Sequence, residues 1–563
     1  MQPLPGRTVS AAAAAQRAAL LAIAFLLAAN TRVAGAADRP GAEPEPSLSD
    51  AIAELDRLKT ELAAQQKLFD AQGQELARLR LALEAHERLL ERMAAPRLRA
   101  SSVPSLSPPP LPPDYPTPPA SPQTGSGPFP PYFRIGDAYI TPIGFLDFTT
   151  VFRSAAAGSG IGTNFGAIPF NNVPTARLTE LLPNPQNSRI GARLDTKVRD
   201  VRVLAYWESD FLGNNPGNVE VTSNSNTFRM RLYWVDLRKG KWEILGGQSW
   251  SLLTPGRKGI SPLPGDIFYS QVIDVNYVAG LTWGRVPQFR MVYHPSHSFA
   301  AGISLEEPQQ YIGGSGGQGS ITFPTNSNIA ANYANQLNNG NTTLAVPNLA
   351  PDVVGKVAWD PKTGDRSHHI EAVGLYRTFK VFNPANNRYF TEPAGGGSLN
   401  MNFEAVKNFH LIGNFFASNG GGRWLFGSAP DLIVRADGSL SAVHAYSTVS
   451  GFEYQPKANL QLYAYYGGEY LTRNIAIDLN GKLVGYGYSG APNTQNRTIQ
   501  EATPGFIWTF WKNPNYGALQ FMGQYAYLNR TPWYIAPGQP KNAHNSTVFL
   551  NLRYQLPGES PVK

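Results

Sequence analysis

Between about Phe145 and Tyr554 the sequence alternates between apolar and polar residues, in segments that turns or Gly- and Asn-rich loops separate. In the segment 189–198, for example, Ile190 and Leu194 alternate with Arg193 and Asp195. Successive side chains of a β-strand point to opposite sides of the sheet, so each such strand has one polar and one apolar face. A transmembrane β-barrel needs this surface many times over, because lipid surrounds it and water fills it.

The spacing of these segments predicts about 16 strands over residues 132–557. Tight turns at Arg199-Asp200 and Lys239-Gly240 contrast with long loops at 154–186, 212–226, 307–350 and 474–496. Short turns at one end and long loops at the other are typical of outer-membrane barrels, which have an even number of strands. The predicted fold is therefore an all-β transmembrane antiparallel β-barrel. Two soluble β-sandwich or propeller domains would also show alternating apolar and polar residues, but they explain the continuous series of strands less well.

The charge of the chain is concentrated in the strand-rich part. Charged residues make up only 16% of the sequence, which is low for a soluble protein. Residues 1–131 hold 13 basic and 13 acidic side chains, so the whole excess of +8 lies in residues 132–563. A basic excess often indicates binding to nucleic acid or anionic lipid. Because strands carry it here, it points instead to a passage that favours anions.

Eight basic side chains are predicted to point into the lumen if the polar faces of the strands surround one water-filled space. Arginine suits such a wall, since it stays charged and its planar fork binds carboxylate or phosphate groups with two hydrogen bonds. Wall arginines also pair with acids for purely structural reasons, and Arg193 with Asp195 or Arg202 with Glu208 are candidates for such pairs. The predicted pore-lining, anion-binding residues are Arg189, Arg193, Lys197, Arg202, Arg229, Arg231, Arg290 and Arg377.

The first 36 residues have the pattern of a secretory signal peptide. Arg7 and Arg17 precede an apolar run over 18–29, and Ala34-Gly35-Ala36 provides a small-residue cleavage site. The run is too short for a spanning helix, which needs about 20 residues. We expect export and cleavage before Ala37, with an uncleaved N-terminal anchor as the alternative.

Residues 46–95 show a heptad repeat that predicts an α-helical coiled coil. Polar residues Gln65, Gln72 and His86 occupy several of the second core positions, and such residues weaken a coiled coil but fix its register and partner number. A lone amphipathic helix on another surface is the alternative. The predicted oligomerisation residues recur every seven positions and are Leu48, Leu55, Leu62, Phe69, Leu76, Leu83 and Leu90.

A proline-rich linker follows the predicted coiled coil. Residues 96–131 contain 14 prolines, which stop the helix and favour an extended spacer. The barrel then occupies 132–557, and residues 558–563 form a short tail. The chain contains no cysteine, so disulfides and thiolate metal sites are excluded.

The sequence offers little support for catalysis or for a cofactor. His368 and His369 are strand neighbours that face opposite ways, so they cannot share a metal ion. The segment 314–319 matches G-x-G-x-x-G, but no βαβ unit surrounds it. We therefore expect no enzyme activity, no cofactor and no metal. The loop 307–350, in which this segment lies, is predicted to cap the barrel mouth or to fold inward and narrow the pore.

Several short motifs resemble those of the DcaP-like outer-membrane porins. The matching segments are Ser188–Arg193, Glu208–Phe211, Arg229–Arg231, Gly247–Ser251 and Arg285–Arg290. The resemblance implies a trimer of 16-stranded barrels, each with an N-terminal coiled coil, that carries dicarboxylates and similar anions. The chain departs from this family in its long proline-rich spacer and in the lack of an aromatic residue at its end.

The leading functional hypothesis is an outer-membrane porin that lets small, preferentially anionic, dicarboxylate-like solutes diffuse through a basic lumen. Its partners would be outer-membrane lipid, these solutes and two further copies of the chain, without nucleic acid. The predicted coiled coil would lie in the periplasm and contact peptidoglycan or periplasmic proteins. Two alternatives are an outer-membrane structural protein whose stalk tethers the membrane to the cell wall, and a barrel hydrolase.

Overall fold

A computed structural model of the chain describes residue 59 and residues 132–213, 227–267, 271–314, 319–325, 329–338, 350–426 and 428–557. The predicted signal peptide, the linker, the tail and all of the predicted coiled coil except Lys59 lie outside the described residues. Those domain assignments stay predictions. Among the described residues, no helix has the length and apolar composition needed to cross a membrane.

The described residues form 23 strands and one short α-helix, α1, at Ile329–Tyr333. The strands are β1 Phe133–Ile135, β2 Ala138–Arg153, β3 Glu180–Asn184, β4 Arg189–Val198, β5 Val201–Asp210, β6 Arg229–Lys239, β7 Trp242–Trp250, β8 Arg285–Ser296, β9 Phe299–Glu306, β10 Asp352–Trp359, β11 Lys362–Thr363, β12 Arg366–Asn383, β13 Arg388–Val406, β14 Phe409–Asn419, β15 Leu432–Val434, β16 Leu440–Ala442, β17 His444–Lys457, β18 Leu460–Leu471, β19 Asn474–Ile477, β20 Leu483–Tyr486, β21 Asn496–Asn513, β22 Gly517–Pro532 and β23 Ala543–Gln555.

Sixteen of these described strands pair in antiparallel fashion around a closed ring. The ring runs β2, β4 to β10, β12 to β14, β17, β18 and β21 to β23, and it closes where Phe145 of β2 pairs with Gln555 of β23. Strand β3 continues the line of β4, since both pair with β2. The prediction of a 16-stranded antiparallel barrel is therefore confirmed. Such closure leaves no free sheet edge, as a hydrocarbon environment requires.

The two ends of the barrel differ in the length of their connections. Two-residue turns join β4 to β5, β6 to β7 and β8 to β9 at one end. At the other end, 34 residues separate β7 from β8 and 45 separate β9 from β10. We refer to these as the short-turn end and the long-loop end.

The outer face of the barrel is apolar over most strands. In β23, Leu550 and Leu552 are exposed, whereas the alternate residues Phe549 and Asn551 are buried in the interior. This is the alternation predicted from the sequence of the strand. It places apolar side chains where acyl chains would lie and polar side chains inside.

In β6 a β-bulge changes which side chains face outward. The register with β5 shifts between Glu208 and Ser209, so that Glu208 pairs with Leu232 and Ser209 with Met230. The alternation over 227–237 predicts that Met230 and Trp234 share the lipid face. Met230 is exposed, but Trp234 is only 3% exposed and packs inside the barrel against Tyr206. The prediction is wrong for Trp234, because the extra residue reverses the alternation beyond it.

The segment 251–284 between β7 and β8, described except for 268–270, folds into the barrel; we call it the inward loop. Arg257 binds Glu453 of β17, and the backbone N–H groups of Ile273 and Ala279 donate to Gln524 of β22 and Glu501 of β21. These partners belong to the wall that faces β7 and β8 across the ring. The inward loop must therefore cross the lumen.

The other long loops interlock above the lumen at the same, long-loop end of the barrel. Thr322 exchanges two backbone hydrogen bonds of 2.9 Å with Gly485, and Asp478 accepts one from the N–H of Thr325. Strand pairs β15–β16 and β19–β20 lie in these loops and share one apolar core with α1. The described parts of 307–350 thus cover part of the mouth, while the inward loop crosses the lumen.

Candidate anion-binding site

The eight predicted pore-lining residues all lie on barrel strands, but they fall into three groups. Arg189, Arg229 and Arg231 come together at the long-loop end. Arg193, Lys197 and Arg202 lie nearer the short-turn end. The remaining two, Arg290 and Arg377, are deeply buried.

The first group forms a cluster because antiparallel strands reverse direction. The start of β4, the end of β5 and the start of β6 meet side by side, so that Arg189 pairs with Asp210 and Asp210 with Arg229. The Arg229 guanidinium binds Asp210 with two hydrogen bonds of 3.0 and 2.8 Å. Its side chain is 37% exposed, so this end of the cluster is open to solvent.

Arg231 lies deeper in the same cluster and joins its two carboxylates. Its Nε lies 2.6 Å from Glu208 Oε1, and its Nη1 lies 2.8 Å from Asp210 Oδ2. Arg189 is more distant from Glu208, at 3.8 Å, and its guanidinium also lies over the Phe145 ring. Arg229 and Arg231 are two residues apart on β6 and therefore face the same side, and the β-bulge lies at Arg231, so the alternation changes after it.

A fourth guanidinium, that of Arg285 at the start of β8, completes the cluster. It lies over the Trp250 ring, 5.6 Å from the ring centre. Among the described residues it has neither a carboxylate within ion-pair distance nor a hydrogen-bond partner for its Nε. We call Arg189, Arg229, Arg231 and Arg285, with Glu208 and Asp210, the arginine cluster. It carries four positive charges against two negative ones.

The inward loop reaches the arginine cluster through an aromatic contact. Tyr277 of the loop packs edge-on against Trp250, with 6.1 Å between ring centres, and against Trp283 at 5.0 Å. The backbone of Tyr277 has a φ of +68°, an uncommon conformation for a residue with a side chain. The loop thus packs against the wall directly beside Arg285.

Near the short-turn end two of the three basic residues share one carboxylate. Arg193 binds Asp195 with hydrogen bonds of 2.7 and 2.9 Å, as the sequence suggested for a structural pair. Arg202 lies 3.6 Å from the same Asp195 rather than beside Glu208. Lys197 is exposed. The excess of positive charge is two in this group, as it is in the arginine cluster, but here it lies near exposed side chains, those of Lys197 and Arg202.

The last two predicted residues are both deeply buried, and the partners of Arg377 indicate a structural role. Arg377 is fully buried; it binds Asp431 at 2.9 Å and Asp352 at 3.3 Å, and it donates to the carbonyl oxygens of Gly420 and Gln309. It thereby ties two long loops to the wall. Arg290 is 2% exposed, and its hydrogen bond to Ser249 is a long contact of 3.4 Å.

Sequence reasoning missed two parts of the site. Arg285 lies in the family-like segment 285–290 but opens a strand after a long loop, so no alternation marked it as inward-facing. The inward loop was not recognised because it shows no strand pattern. The sequence signal that could have revealed it is the apolar content of the segment 251–284. Leu252, Leu253 and Leu281 would be unfavourable in a solvent-exposed connection, and all three are buried.

Two further features bear on chemistry within the part of the chain that the structure describes. No group of three or more His, Asp or Glu side chains there is arranged to hold a metal ion. In the inward loop, burial raises the pKa of Asp274, while hydrogen bonds from Thr163 and Asn276 oppose this effect.

No protein-family description and no curated protein matches the sequence. Among solved structures, the chain resembles the outer membrane channel DcaP of Acinetobacter baumannii with a TM-score of 0.53 and 17% identity, over 75% of this chain and 99% of that one. The anion-selective porin from Comamonas acidovorans has a TM-score of 0.41 and 13% identity, over 74% and 100% of the two chains. Pseudomonas putida OprB has a TM-score of 0.40 and 11% identity, over 74% of this chain and 94% of that one.

The match to DcaP agrees with the sequence motifs that resemble this family and with the ring of 16 strands. At this level of identity the comparison establishes the architecture of the barrel. The chain has the fold of the DcaP-like outer-membrane porins.

Proposed function

We propose that this protein is an outer-membrane porin through which small, preferentially anionic solutes diffuse passively, with dicarboxylates as the favoured class. The barrel fold supports a channel in the outer membrane, where export by the predicted signal peptide would deliver the chain. The single observation that carries the preference for anions is the arginine cluster, where four guanidinium groups face two carboxylates.

Arg285 is central to this proposal. A partly buried charge without a counter-ion is unfavourable, and an arriving carboxylate would supply the missing partner. Its planar fork can bind such a group with two hydrogen bonds. Arg189 and Arg229 lie in the same cluster and could hold a second negative group of the same solute.

The inward loop supports selectivity by narrowing the path beside the cluster. A charged wall acts on a permeating ion most strongly where the passage is narrow and its walls have a low dielectric constant. Solutes that cross the lumen would therefore pass near Arg285 and Tyr277. Passive diffusion needs no turnover, so the proposal includes no catalytic step.

The proposal is tested by ion selectivity of the purified protein in planar bilayers. In a salt gradient, we expect a reversal potential that indicates a higher permeability for chloride than for potassium. Arg285→Gln should reduce this preference, because it removes one of the two excess charges without leaving a carboxylate unpaired. Arg193→Gln is the matched control, since Arg193 is already neutralised by Asp195. A cation-selective native channel, or an Arg285→Gln channel with native selectivity, would refute the proposal.

We further propose that the protein is a homotrimer whose coiled coil lies in the periplasm. The heptad repeat supports association, and the same segment could tether the outer membrane to peptidoglycan. A chain that lacks residues 38–131 separates the two roles. Unchanged conductance with a weakened cell envelope would assign tethering to this segment, whereas loss of the trimer would assign assembly to it.

A further inference from the structure

The inward loop is attached to the barrel wall through two carboxylates. Both oxygens of Asp360 accept the backbone N–H of Gly259, at 3.2 and 2.9 Å. Oε1 of Glu371 accepts the N–H of Gly256 at 3.0 Å. These contacts fix the part of the loop that first leaves the β7 wall.

A single imidazole joins the two carboxylates. Nδ1 of His369 lies 2.7 Å from Oδ1 of Asp360, and Nε2 lies 3.0 Å from Oε2 of Glu371. A neutral imidazole carries one N–H and one lone pair, so it can donate to only one of them. Both hydrogen bonds form only when the ring is protonated. Without that proton, a nitrogen lone pair would face a carboxylate oxygen.

The charges around His369 balance only in the protonated state. Nζ of Lys356 lies 3.0 Å from Oε2 of Glu371 and donates to the carbonyl oxygen of Thr254 in the loop. The two positive charges of His369 and Lys356 then equal in number the two negative charges of Asp360 and Glu371. All but Asp360 are at least nine-tenths buried, so a lost proton would leave an uncompensated charge in a poorly solvated place.

The other groups near this site do not supply a replacement proton. Asn400 donates to Oε1 of Glu371 at 2.7 Å and does not titrate. From the inward loop, Asp266 adds negative charge, and Lys258 lies close enough to act on Asp266. The imidazolium is thus the group that satisfies both carboxylates at once.

We propose that His369 is a positioning residue whose proton fixes residues 254–260 of the inward loop to the wall and so keeps the channel open steadily. This inference rests on the proposed function, because it assigns the loop to the conducting path. When the pH rises and the ring loses its proton, one carboxylate loses its partner and the attached part of the loop becomes freer to move into the lumen. The channel then closes more often.

The loop would not leave the barrel, because its next anchor is held by an arginine; His410 of the neighbouring strand β14 lies beside this anchor and interacts electrostatically with it. Arg257 binds Glu453 with contacts of 2.7 and 2.5 Å, and Glu453 also accepts a hydrogen bond from Tyr465. The expected change is therefore one of closing frequency and not of the fully open conductance.

Single-channel recordings of the full-length protein in symmetrical potassium chloride test this inference. Between about pH 5 and about pH 9, the range in which histidines titrate, the native closing frequency should rise severalfold. His369→Asn should close frequently at every pH, since the amide is neutral and has N–H groups on one side only, with an acceptor oxygen on the other. His368→Asn is the matched control. That neighbouring ring lies on the other side of β12, stacked on Phe403 at 4.3 Å, so its replacement should leave the native pH profile intact.

Glu371→Gln provides a second variant that does not remove the histidine. With one carboxylate neutral, the ring no longer needs two N–H groups, so the pH dependence should largely disappear. A flat native profile would overturn the inference, as would a His369→Asn channel that follows the native profile. The reversal potential in a salt gradient is measured on the same channels. Loss of anion preference with gating preserved would count against the proposed function alone.

Discussion

Nη1 of Arg231 lies 2.8 Å from Oδ2 of Asp210, and both side chains are almost completely shielded from solvent. Arg231 also binds Glu208, so one guanidinium bridges two carboxylates inside the wall. Arg229 binds Asp210 as well, so two guanidinium groups balance the two carboxylates. The charges of Arg189 and Arg285 then form the excess of the arginine cluster.

Arg231→Ala should destabilise the barrel markedly. Asp210 keeps its pair with Arg229, but buried Glu208 loses its close partner and retains only Arg189 at 3.8 Å. Leaving a buried charge without its partner costs about 3–5 kcal/mol. The free energy of unfolding, measured by urea titration in detergent or lipid, is the readout. Arg193→Ala is the control, because its pair with Asp195 is partly exposed and should contribute about 1 kcal/mol or less. Equal losses for the two variants would contradict the assignment of Arg231 to the buried base.

Anion preference should fall in steps as the arginine cluster loses charge. Arg285→Gln leaves one excess positive charge, and the double variant Arg229→Ala/Arg231→Ala leaves none. The ratio of anion to cation permeability, obtained from reversal potentials, should therefore decrease from the native protein to the single and then to the double variant. A double variant as selective as the native channel would assign selectivity to a different part of the wall.

Two adjacent glycines of β7 should respond differently to alanine. Gly247 has a φ of +131°, and an added Cβ would lie 2.2 Å from the carbonyl oxygen of Tyr233. Gly246 has open space at the same position. Gly247→Ala should thus lower the thermal stability of the barrel, whereas Gly246→Ala should leave it unchanged or slightly higher. Similar melting temperatures for the two variants would mean that β7 approaches β6 less closely than described.

The β-bulge in β6 makes Val235 a lipid-facing residue. Val235 is 45% exposed on the outer surface, while its neighbour Trp234 is buried inside. Val235→Arg should destabilise the membrane-inserted barrel by about 2–4 kcal/mol if the residue lies near the bilayer midplane. Val235→Leu keeps an apolar side chain and should be close to neutral. If Val235→Arg were tolerated as well as Val235→Leu, Val235 would have to face water, and the β-bulge would lie at a different position in β6.

A peptide of residues 46–95 should associate as a helical trimer. The seven apolar residues of its heptad repeat would be exposed on a single helix, and association buries them. Sedimentation equilibrium and circular dichroism measure the mass and the helicity. Leu62→Asp, in the middle of the seam, should give a monomer with reduced helicity. A monomeric native peptide would exclude this segment as the source of a trimer.

The strands were largely predictable because their information is local. The segment 189–198, in which the alternation is clearest, has the same boundaries as β4, Arg189–Val198. Alternation of side chains follows directly from strand geometry, so each strand reveals its own two faces. The exception in β6 arose because one extra residue reverses the pattern, and no turn or glycine in the sequence marks that position.

The site was predictable only in part, because it depends on which strand ends meet. The sequence identified Arg189, Arg229 and Arg231 as inward-facing, but gave no reason to join them to Arg285 or to set Arg377 apart. Arg377 follows the same alternation as its neighbours, yet it is surrounded by two long loops that supply its carbonyl partners. Contacts between residues far apart in the chain decide such differences.

By itself, the sequence determined the architecture: many amphipathic strands with alternating short and long connections can bury their backbone polar groups in a membrane only by closing into a barrel. Only the tertiary structure decided how the interior of that barrel is arranged. The path of the inward loop, the pairing of arginines with acids and the position of His369 between two carboxylates depend on distances across the ring. A one-dimensional pattern carries no record of those distances, since it reports which face a side chain takes and not what it meets there.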